Sequence, residues 1–465
     1  MLRISNHHIS RITSFLLLFE FGILFGSVYL GTLIRVSGNS DTLRLINDQF
    51  FLTALVLALT IVCSMSALGM YQINFREGIR NTLLRLMPSM VLALVLVTLI
   101  FYFFPSLFLG RGAIGLIFAI ASIGILLART LVFKSSESGM LRSRILFLGS
   151  GALAQECHEL AISNIGHHDY DVVGFVPVDH EEPKVLSRYL LPAGQSMFSL
   201  ALKHDVDEVV VAVQNRRGRQ FPIQDLLDCK IRGIKVIDAA AFFEREACQI
   251  RVETLQPGWL VFGEGFNQSF ARRLGKKIFD LSVSSMILIL AMPVMLVTSL
   301  LIFLEDRGPV FYKQERVGTH GRSFMVLKFR SMGTNAEKSN APQWASANDP
   351  RTTWIGKIIR KLRIDELPQV INVFKGEMSF VGPRPERPFF VKQLCQDVPF
   401  YNMRHSVKPG ITGMAQVRYA YGASVEDSKQ KLQYDLYYVK NNSLFLDIMI
   451  LIETVQVVLL GKGAR

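Results

Sequence analysis

The sequence predicts a multidomain membrane protein in three parts: a four-helix transmembrane N-terminus, an α/β domain, and a mainly α C-terminal domain led by a re-entrant helix. Three observations carry this reading. Half of the 465 residues (50 %) are hydrophobic and mean hydropathy is +0.31. Four apolar runs near the ~20 residues that span a bilayer's hydrocarbon core fill the first third of the chain. A fifth run, far downstream, carries a proline near its middle and cations on both flanks.

The formal charge is +13, from 51 Lys+Arg against 38 Asp+Glu. Such a balance suits an anionic membrane surface or phosphorylated substrates, and juxtamembrane cations that set topology supply part of it. No nucleic-acid partner is expected. Cys63, Cys157, Cys229, Cys248 and Cys395 form no C-x-x-C pair, so neither a disulfide framework nor a zinc site is indicated.

The first four runs cover residues 12–34, 50–71, 83–104 and 113–133, within a segment 1–138. The first is too long for the apolar part of a signal peptide and reads as retained. Arg3 and Arg11 precede it, Arg76, Arg80 and Arg85 stand between the second and third, and Lys134, Arg142 and Arg144 follow the fourth. The other two loops hold fewer cations, Arg44 and Arg111, with Arg35 at the edge of the first run. Positive-inside bias therefore places both ends of this segment in the cytoplasm. Glu20, inside the first run, reads either as a helix-packing residue or as a functional one.

Residues 139–250 read as a soluble α/β domain. Residues 144–148 form a buried strand, and Gly149-Ser150-Gly151-Ala152-Leu153-Ala154 opens a helix. Further strands are expected over 171–176, 208–213 and 234–237. The alternation predicts a parallel, Rossmann-like sheet. A G-x-G-x-x-A turn can cradle a pyrophosphate, but Val176-Pro177 stands where a ribose-binding acid belongs. NAD or another dinucleotide is therefore not expected. A scaffold, a dimerisation unit or a regulatory sensor fits better.

A linker, 251–271, contains Gln256-Pro257-Gly258-Trp259-Leu260 and Gly263-Glu264-Gly265. In the domain that follows, 272–465, the apolar run 278–304 is long enough to span. Pro293, however, removes a backbone donor near its middle. Arg272, Arg273, Lys276 and Lys277 precede the run. Lys313, Arg316, Arg322, Lys328 and Arg330 follow its acidic exit at Glu305-Asp306. Cations on both sides disfavour a straight crossing. A helix that enters one leaflet, turns at Pro293 and returns satisfies both facts, and an ordinary kinked span is the alternative.

Beyond it, Asp365-Glu366-Leu367-Pro368-Gln369 sets two adjacent carboxylates at the start of a helix. Successive helical residues point ~100° apart, so the two acids cannot serve one atom symmetrically, and a division of labour follows. A carboxylate is ionised at neutral pH and attacks without a general base. Leu367, Val370, Ile371 and Phe374 give the helix a core-facing stripe. His405 and the pair His167-His168 have no partners at metal-ligand spacing and read as surface residues.

The dyad belongs to an ordered series. Before it come Pro309-Val310-Phe311-Tyr312-Lys313-Gln314-Glu315-Arg316-Val317-Gly318, Lys328-Phe329-Arg330-Ser331-Met332 and Asp349-Pro350-Arg351-Thr352. After it come Gly376-Glu377-Met378-Ser379-Phe380-Val381-Gly382-Pro383-Arg384-Pro385 and Lys408-Pro409-Gly410-Ile411-Thr412-Gly413. The series resembles the bacterial sugar transferases, monotopic polyprenyl-phosphate hexose-1-phosphate transferases. The preceding parts look like the long-form members that start exopolysaccharide or capsule synthesis, the exosortase-associated group being nearest.

The resemblance implies that Asp365 attacks the sugar-bearing phosphorus of a UDP-sugar and carries a covalent phosphosugar. Glu366 would hold Mg²⁺, with Mn²⁺ as a substitute, and undecaprenyl phosphate in the bacterial inner membrane would be the acceptor. Lys328, Arg330, Arg351 and Arg384 are candidates for diphosphate or lipid-phosphate contacts. Gln369 serves the dyad or caps a helix. The family commonly has Ser-Pro at the helix break, where this chain has Met292-Pro293, so the break rests on proline alone. A homodimer through the α/β domain or the amphipathic run 444–460 is left open. A membrane-tethered nucleotide-sugar dehydratase would need Tyr-x-x-x-Lys, and none of the 12 tyrosines has it. The competing non-enzymatic reading is a membrane scaffold or flippase component with a nucleotide-sensing α/β domain.

Overall fold

The computed structural model describes residues 2–4, 7–9, 11–36, 48–68, 70–71, 79–137, 142–162, 170–178, 182–192, 194–214, 221–254, 266, 269–333, 351–419, 422 and 424–459. Linker residues 256–260 and 263–265, His167-His168, Asp349-Pro350 and the loop cations Arg44 and Arg76 lie outside them. The chain divides into two compact units, residues 1–3 with 8–248 and residues 4–7 with 249–465.

In the first unit, α1 (Arg11–Val36), α2 (Asp48–Ala67), α3 (Ile79–Phe103) and α4 (Arg111–Glu137) each contain a stretch long and apolar enough to cross a membrane. Leu24, Ala58, Ile61, Met65, Met90 and Ile125 pack them together. Their outer faces stay apolar, with Leu30, Met87, Tyr102 and Leu131 exposed. Glu20 is fully buried and paired with Arg129 at 2.6 Å, while Arg129 also donates to the Met70 carbonyl at 2.8 Å. The acid in the first run thus fastens α1 to α4.

The same unit holds β1 (Ser143–Leu148), α5 (Ala152–Ile162), β2 (Tyr170–Val176), α6 (Met197–Lys203), β3 (Glu208–Val211), α7 (Ile223–Ile231), β4 (Lys235–Asp238) and α8 (Ala239–Ala247). The sheet is parallel in the order β2-β1-β3-β4. Alternate residues of β1 feed two cores, Phe147 with Phe175 and Phe242, and Leu148 with Val209 and Val211. Gly149 has φ +110°, and a Cβ there would meet the Ala212 carbonyl oxygen at 2.5 Å. Close packing therefore requires the first glycine of the turn whether or not a ligand binds.

The second unit begins with α9 (Phe270–Asp306), capped by Ser269 and helical through Pro293. The helix starts at Phe270 and so absorbs the basic segment placed before it. Ser284 Oγ is buried with no hydrogen-bond partner among the described residues. Both ends of α9 are tied to later residues. Near its start, Lys276 bonds Asp447 at 2.8 Å and the Val381 carbonyl at 3.0 Å, and Asp280 accepts from Ser379 Oγ and the Phe380 amide. Near its end, Ile302 packs on Phe329, Ile355 and Ile359, Asp306 pairs with Arg330, and Glu305 accepts from the Trp354 amide at 3.0 Å. Between these ties Ile289, Leu290, Leu296 and Leu300 are exposed.

An antiparallel hairpin follows, β5 (Phe311–Val317) with β6 (Ser323–Phe329). It is not expected from the sequence, because Lys313-Gln314-Glu315-Arg316 fills the first strand with polar side chains. The remaining elements are α10 (Trp354–Lys361), α11 (Val370–Phe374), β7 (Ser379–Val381), α12 (Pro388–Asp397), β8 (Gly410–Thr412), α13 (Met414–Arg418), α14 (Val425–Asn441) and α15 (Leu444–Leu459). Parallel pairing of β7 and β8 explains two of the motifs. A Cβ on Gly382 would meet the Lys408 carbonyl oxygen at 2.3 Å, and one on Gly410 would meet the Gly382 nitrogen at 2.1 Å. Two backbones cross there with no room for a side chain.

Candidate active site

Thr353 caps α10, its Oγ1 accepting from the Gly356 amide at 3.0 Å. Arg363 (φ +56°) then turns the chain into a 3₁₀ turn, Ile364–Gln369, which leads into α11. Asp365 and Glu366 lie in the first residues of that turn. The anticipated stripe of Leu367, Val370, Ile371 and Phe374 is not the one observed. Pro368, Gln369, Val370, Asn372 and Val373 are buried, and Phe374 is 40 % exposed. A 3₁₀ turn has about three residues per turn, so it shifts the phase of the helix that follows.

Asn372 fixes this segment to the hairpin. Its Oδ1 accepts from the Leu327 amide at 3.0 Å, and its Nδ2 donates to the Met325 carbonyl at 2.7 Å and to Glu377 at 2.8 Å. Lys328, next on β6, is thereby presented to the dyad. Arg384 arrives from the loop after β7. That loop is held by Arg404, whose Nη2 donates to the Arg384 carbonyl at 2.9 Å and pairs with Asp435 at 2.7 Å. Arg316 also holds it, donating to the Pro385 carbonyl at 3.0 Å. Motif reading did not single out Asn372, Arg404 or Asp435, since their partners are remote in sequence.

The two acids differ sharply. Glu366 Oε1 accepts from Lys328 Nζ at 2.9 Å and Arg384 Nη2 at 2.8 Å, while Oε2 has Arg363 at 3.9 Å. Burial pushes its pKa up, but Arg384 and Lys328 outweigh that and hold it well below the usual carboxylate range. Asp365 has no hydrogen bond or ion pair among the described residues. Burial and the Glu366 charge raise its pKa, against the lowering effect of Lys328, Arg384 and Arg360. Arg360 is a further cation of the site. Its signal was the Arg360-Lys361-Leu362-Arg363 run just before the dyad.

Of the expected site residues, the structure gathers Asp365, Glu366, Lys328 and Arg384. Arg330 is bound elsewhere, buried and paired with Asp306, and a Cβ on Gly308 would collide with its guanidinium at 2.0 Å. Arg351 is half-buried, its carbonyl accepting from the Gly333 amide at 3.1 Å. Gln369 is the last residue of the turn and is buried. His405 is not a surface residue: it packs on Tyr401 and lines a cleft with Pro383, Arg384 and Pro385.

Among the described residues no three His, Cys, Asp or Glu side chains cluster as a metal cage. Mg²⁺ typically takes one or two carboxylates and completes its octahedron with phosphate oxygens and water. The adjacent pair fits that demand, with Glu366 Oε2 its less occupied oxygen.

Comparison with known proteins identifies the family. Residues 271–461 match the family described as bacterial sugar transferase. The chain is 31 % identical over 358 residues to the undecaprenyl-phosphate galactose phosphotransferase of Salmonella typhimurium, covering 71 % of each chain. It is 32 % identical over 352 residues to the UDP-galactose-lipid carrier transferase of Erwinia amylovora, covering 70 % of this chain and 69 % of that one. A 190-residue stretch is 49 % identical to the UDP-N-acetylgalactosamine-undecaprenyl-phosphate N-acetylgalactosaminephosphotransferase of Aeromonas hydrophila. That stretch is 41 % of this chain and 45 % of that protein, so the chain matches less than half of this relative's length.

Proposed function

Because the chain belongs to the bacterial sugar transferase family, we propose that it transfers a hexose 1-phosphate from a UDP-sugar to undecaprenyl phosphate, releasing UMP and starting an exopolysaccharide or capsule chain. The observation that carries this reading is the asymmetry of the dyad: Glu366 is clasped by two cations, and Asp365 beside it has no ion pair among the described residues.

In the first step an Asp365 carboxylate oxygen bonds to the sugar-bearing phosphorus, and the bond from that phosphorus to the bridging oxygen breaks. UMP departs with the electron pair. In the second, a phosphate oxygen of the lipid attacks the same phosphorus and Asp365 leaves as a carboxylate. Lys328 and Arg384 neutralise the diphosphate as it approaches an anionic nucleophile. Mg²⁺ held by Glu366 would add charge neutralisation on the phosphate oxygens.

The reading places the site at the cytoplasmic face of the bacterial inner membrane, behind four spans and a Rossmann-like domain. The ties at both ends of α9 support a re-entrant path for it. A straight helix from Lys276 to Asp306 would be about 45 Å long, beyond the ~30 Å hydrocarbon core. Yet Lys276, Asp280, Glu305 and Asp306 all bond to residues 330–447.

Asp365→Asn tests the proposal. With a radiolabelled UDP-sugar, the native protein should release UMP and retain label on the polypeptide, and the variant should do neither. A variant that still releases UMP would favour the non-enzymatic scaffold or flippase reading.

A further inference from the structure

Beside the dyad, Val317, Pro383, Pro385, Val407 and Pro409 wall a cleft open to solvent, whose polar lining is Arg384, Arg404 and His405. Resting on the donor named above, we propose that this cleft holds the pyrimidine base of the nucleotide, with Arg384 standing between base and diphosphate.

Position is the first argument. Arg384 lines the cleft and also reaches Glu366 at 2.8 Å, so a single side chain connects the cleft to the reacting carboxylates. A uridine diphosphate has its parts in the same order, a flat ring at one end and the phosphorus under attack at the other.

The chemistry of the lining agrees. Proline and valine walls give a flat base apolar contact. Of the three polar residues, Arg404 is committed to Tyr401, Asp435 and the Arg384 carbonyl, and therefore shapes the wall. His405 is half-buried and has no hydrogen-bond partner among the described residues. Burial and the Arg404 charge push its pKa down to about 4. The ring is neutral at physiological pH and keeps a nitrogen that can accept from the imide N–H of uracil. The walls are also held in place before any ligand arrives, because Arg316 and Arg404 bond the loop carbonyls of Pro385 and Arg384.

The test is equilibrium binding of UMP and of AMP to the full-length protein in nanodiscs, for native, His405→Leu, Val407→Phe and Asp365→Asn. Native protein and Asp365→Asn should bind UMP at least about tenfold more tightly than AMP. His405→Leu should lose about tenfold in UMP affinity, the worth of one well-made hydrogen bond, and Val407→Phe, which fills the cleft, should lose more. Thermal midpoints within a few degrees of native establish that the variants fold. Equal affinity for UMP and AMP, or native UMP affinity in both folded cleft variants, overturns the assignment. The two proposals fail separately. UMP release with unaltered cleft variants removes the base site alone, whereas cleft-dependent UMP binding without UMP release removes the transfer reaction alone.

Discussion

Two neighbouring carboxylates acquire different chemistry from what touches them. Charge-assisted hydrogen bonds to both Lys328 and Arg384 keep Glu366 ionised and localise its electrons, while Asp365 keeps its lone pairs available. In the proposed mechanism transfer needs ionised Asp365, whose fraction falls as pH drops through its pKa. Since burial and Glu366 raise that pKa, the acid limb of kcat/KM should lie above the ~3.9 of an ordinary aspartate. Lys328 lowers it, so Lys328→Met should move the limb of the residual activity to higher pH. A pH–rate profile decides, and an unmoved limb counts against Asp365 as nucleophile. His405 works in the opposite sense on stability. Its folded-state pKa of about 4 lies below the ordinary ~6.5. The stability it contributes is complete above ~6.5 and is lost as pH falls toward 4. His405→Leu should flatten that part of a plot of thermal midpoint against pH. The dyad itself was legible in the sequence because its members are adjacent. The pairing of Arg330 with Asp306 was not legible, because Asp306 stands 24 residues earlier and only folding brings the two together.

At the level of elements, two features control where the cations point. The first is the glycine crossing of β7 and β8. Gly382→Ala would push a methyl into the Lys408 carbonyl and should cost about 1–3 kcal/mol, with Arg384 displaced as well. At Gly376 (φ +79°) the nearest group is the flexible Lys408 ammonium at 3.6 Å, so Gly376→Ala should cost only about 1 kcal/mol, from backbone strain. Thermal midpoints of the two variants, measured side by side, check the difference. The second is Asn372. Asn372→Leu leaves the Leu327 amide and the Met325 carbonyl without their partner, at about 1–3 kcal/mol each, and should lower both the midpoint and the activity. Long apolar runs and the alternating strands of the α/β sheet could be read in advance, because periodicity and length are local. The hairpin could not, since its first strand is polar and its support comes from Asn372 and from Val326 packed on Val373 and Met378. The helix phase after the dyad failed for a related reason: a 3₁₀ turn leaves no mark on hydrophobic spacing.

For the molecule as a whole, the question that governs function is which side of the membrane each end of α9 occupies. Arg273, in the first turn of α9, and Lys313, beyond its end, are exposed. With Arg273→Cys and Lys313→Cys introduced singly in a cysteine-depleted chain, a membrane-impermeant thiol reagent should label both from the same side of sealed vesicles. Labelling from opposite sides would establish a full crossing and remove the re-entrant path. Charge is what points to this path in the sequence, since cations on both flanks argue against translocation. What charge could not reveal is how the ends are fastened, because the fastening residues come from the far end of the chain.

Lys276 near the start of α9 finds its carboxylate, Asp447, 171 residues later on α15. At ribosomal rates of about 5–20 residues per second, that is roughly ten to thirty seconds of synthesis. Throughout that interval the apolar helix is already made, but the residue that anchors its entrance does not yet exist. Lys276 is without that carboxylate until α15 has been made, so the block that carries the dyad is completed only after residue 447 has been synthesised.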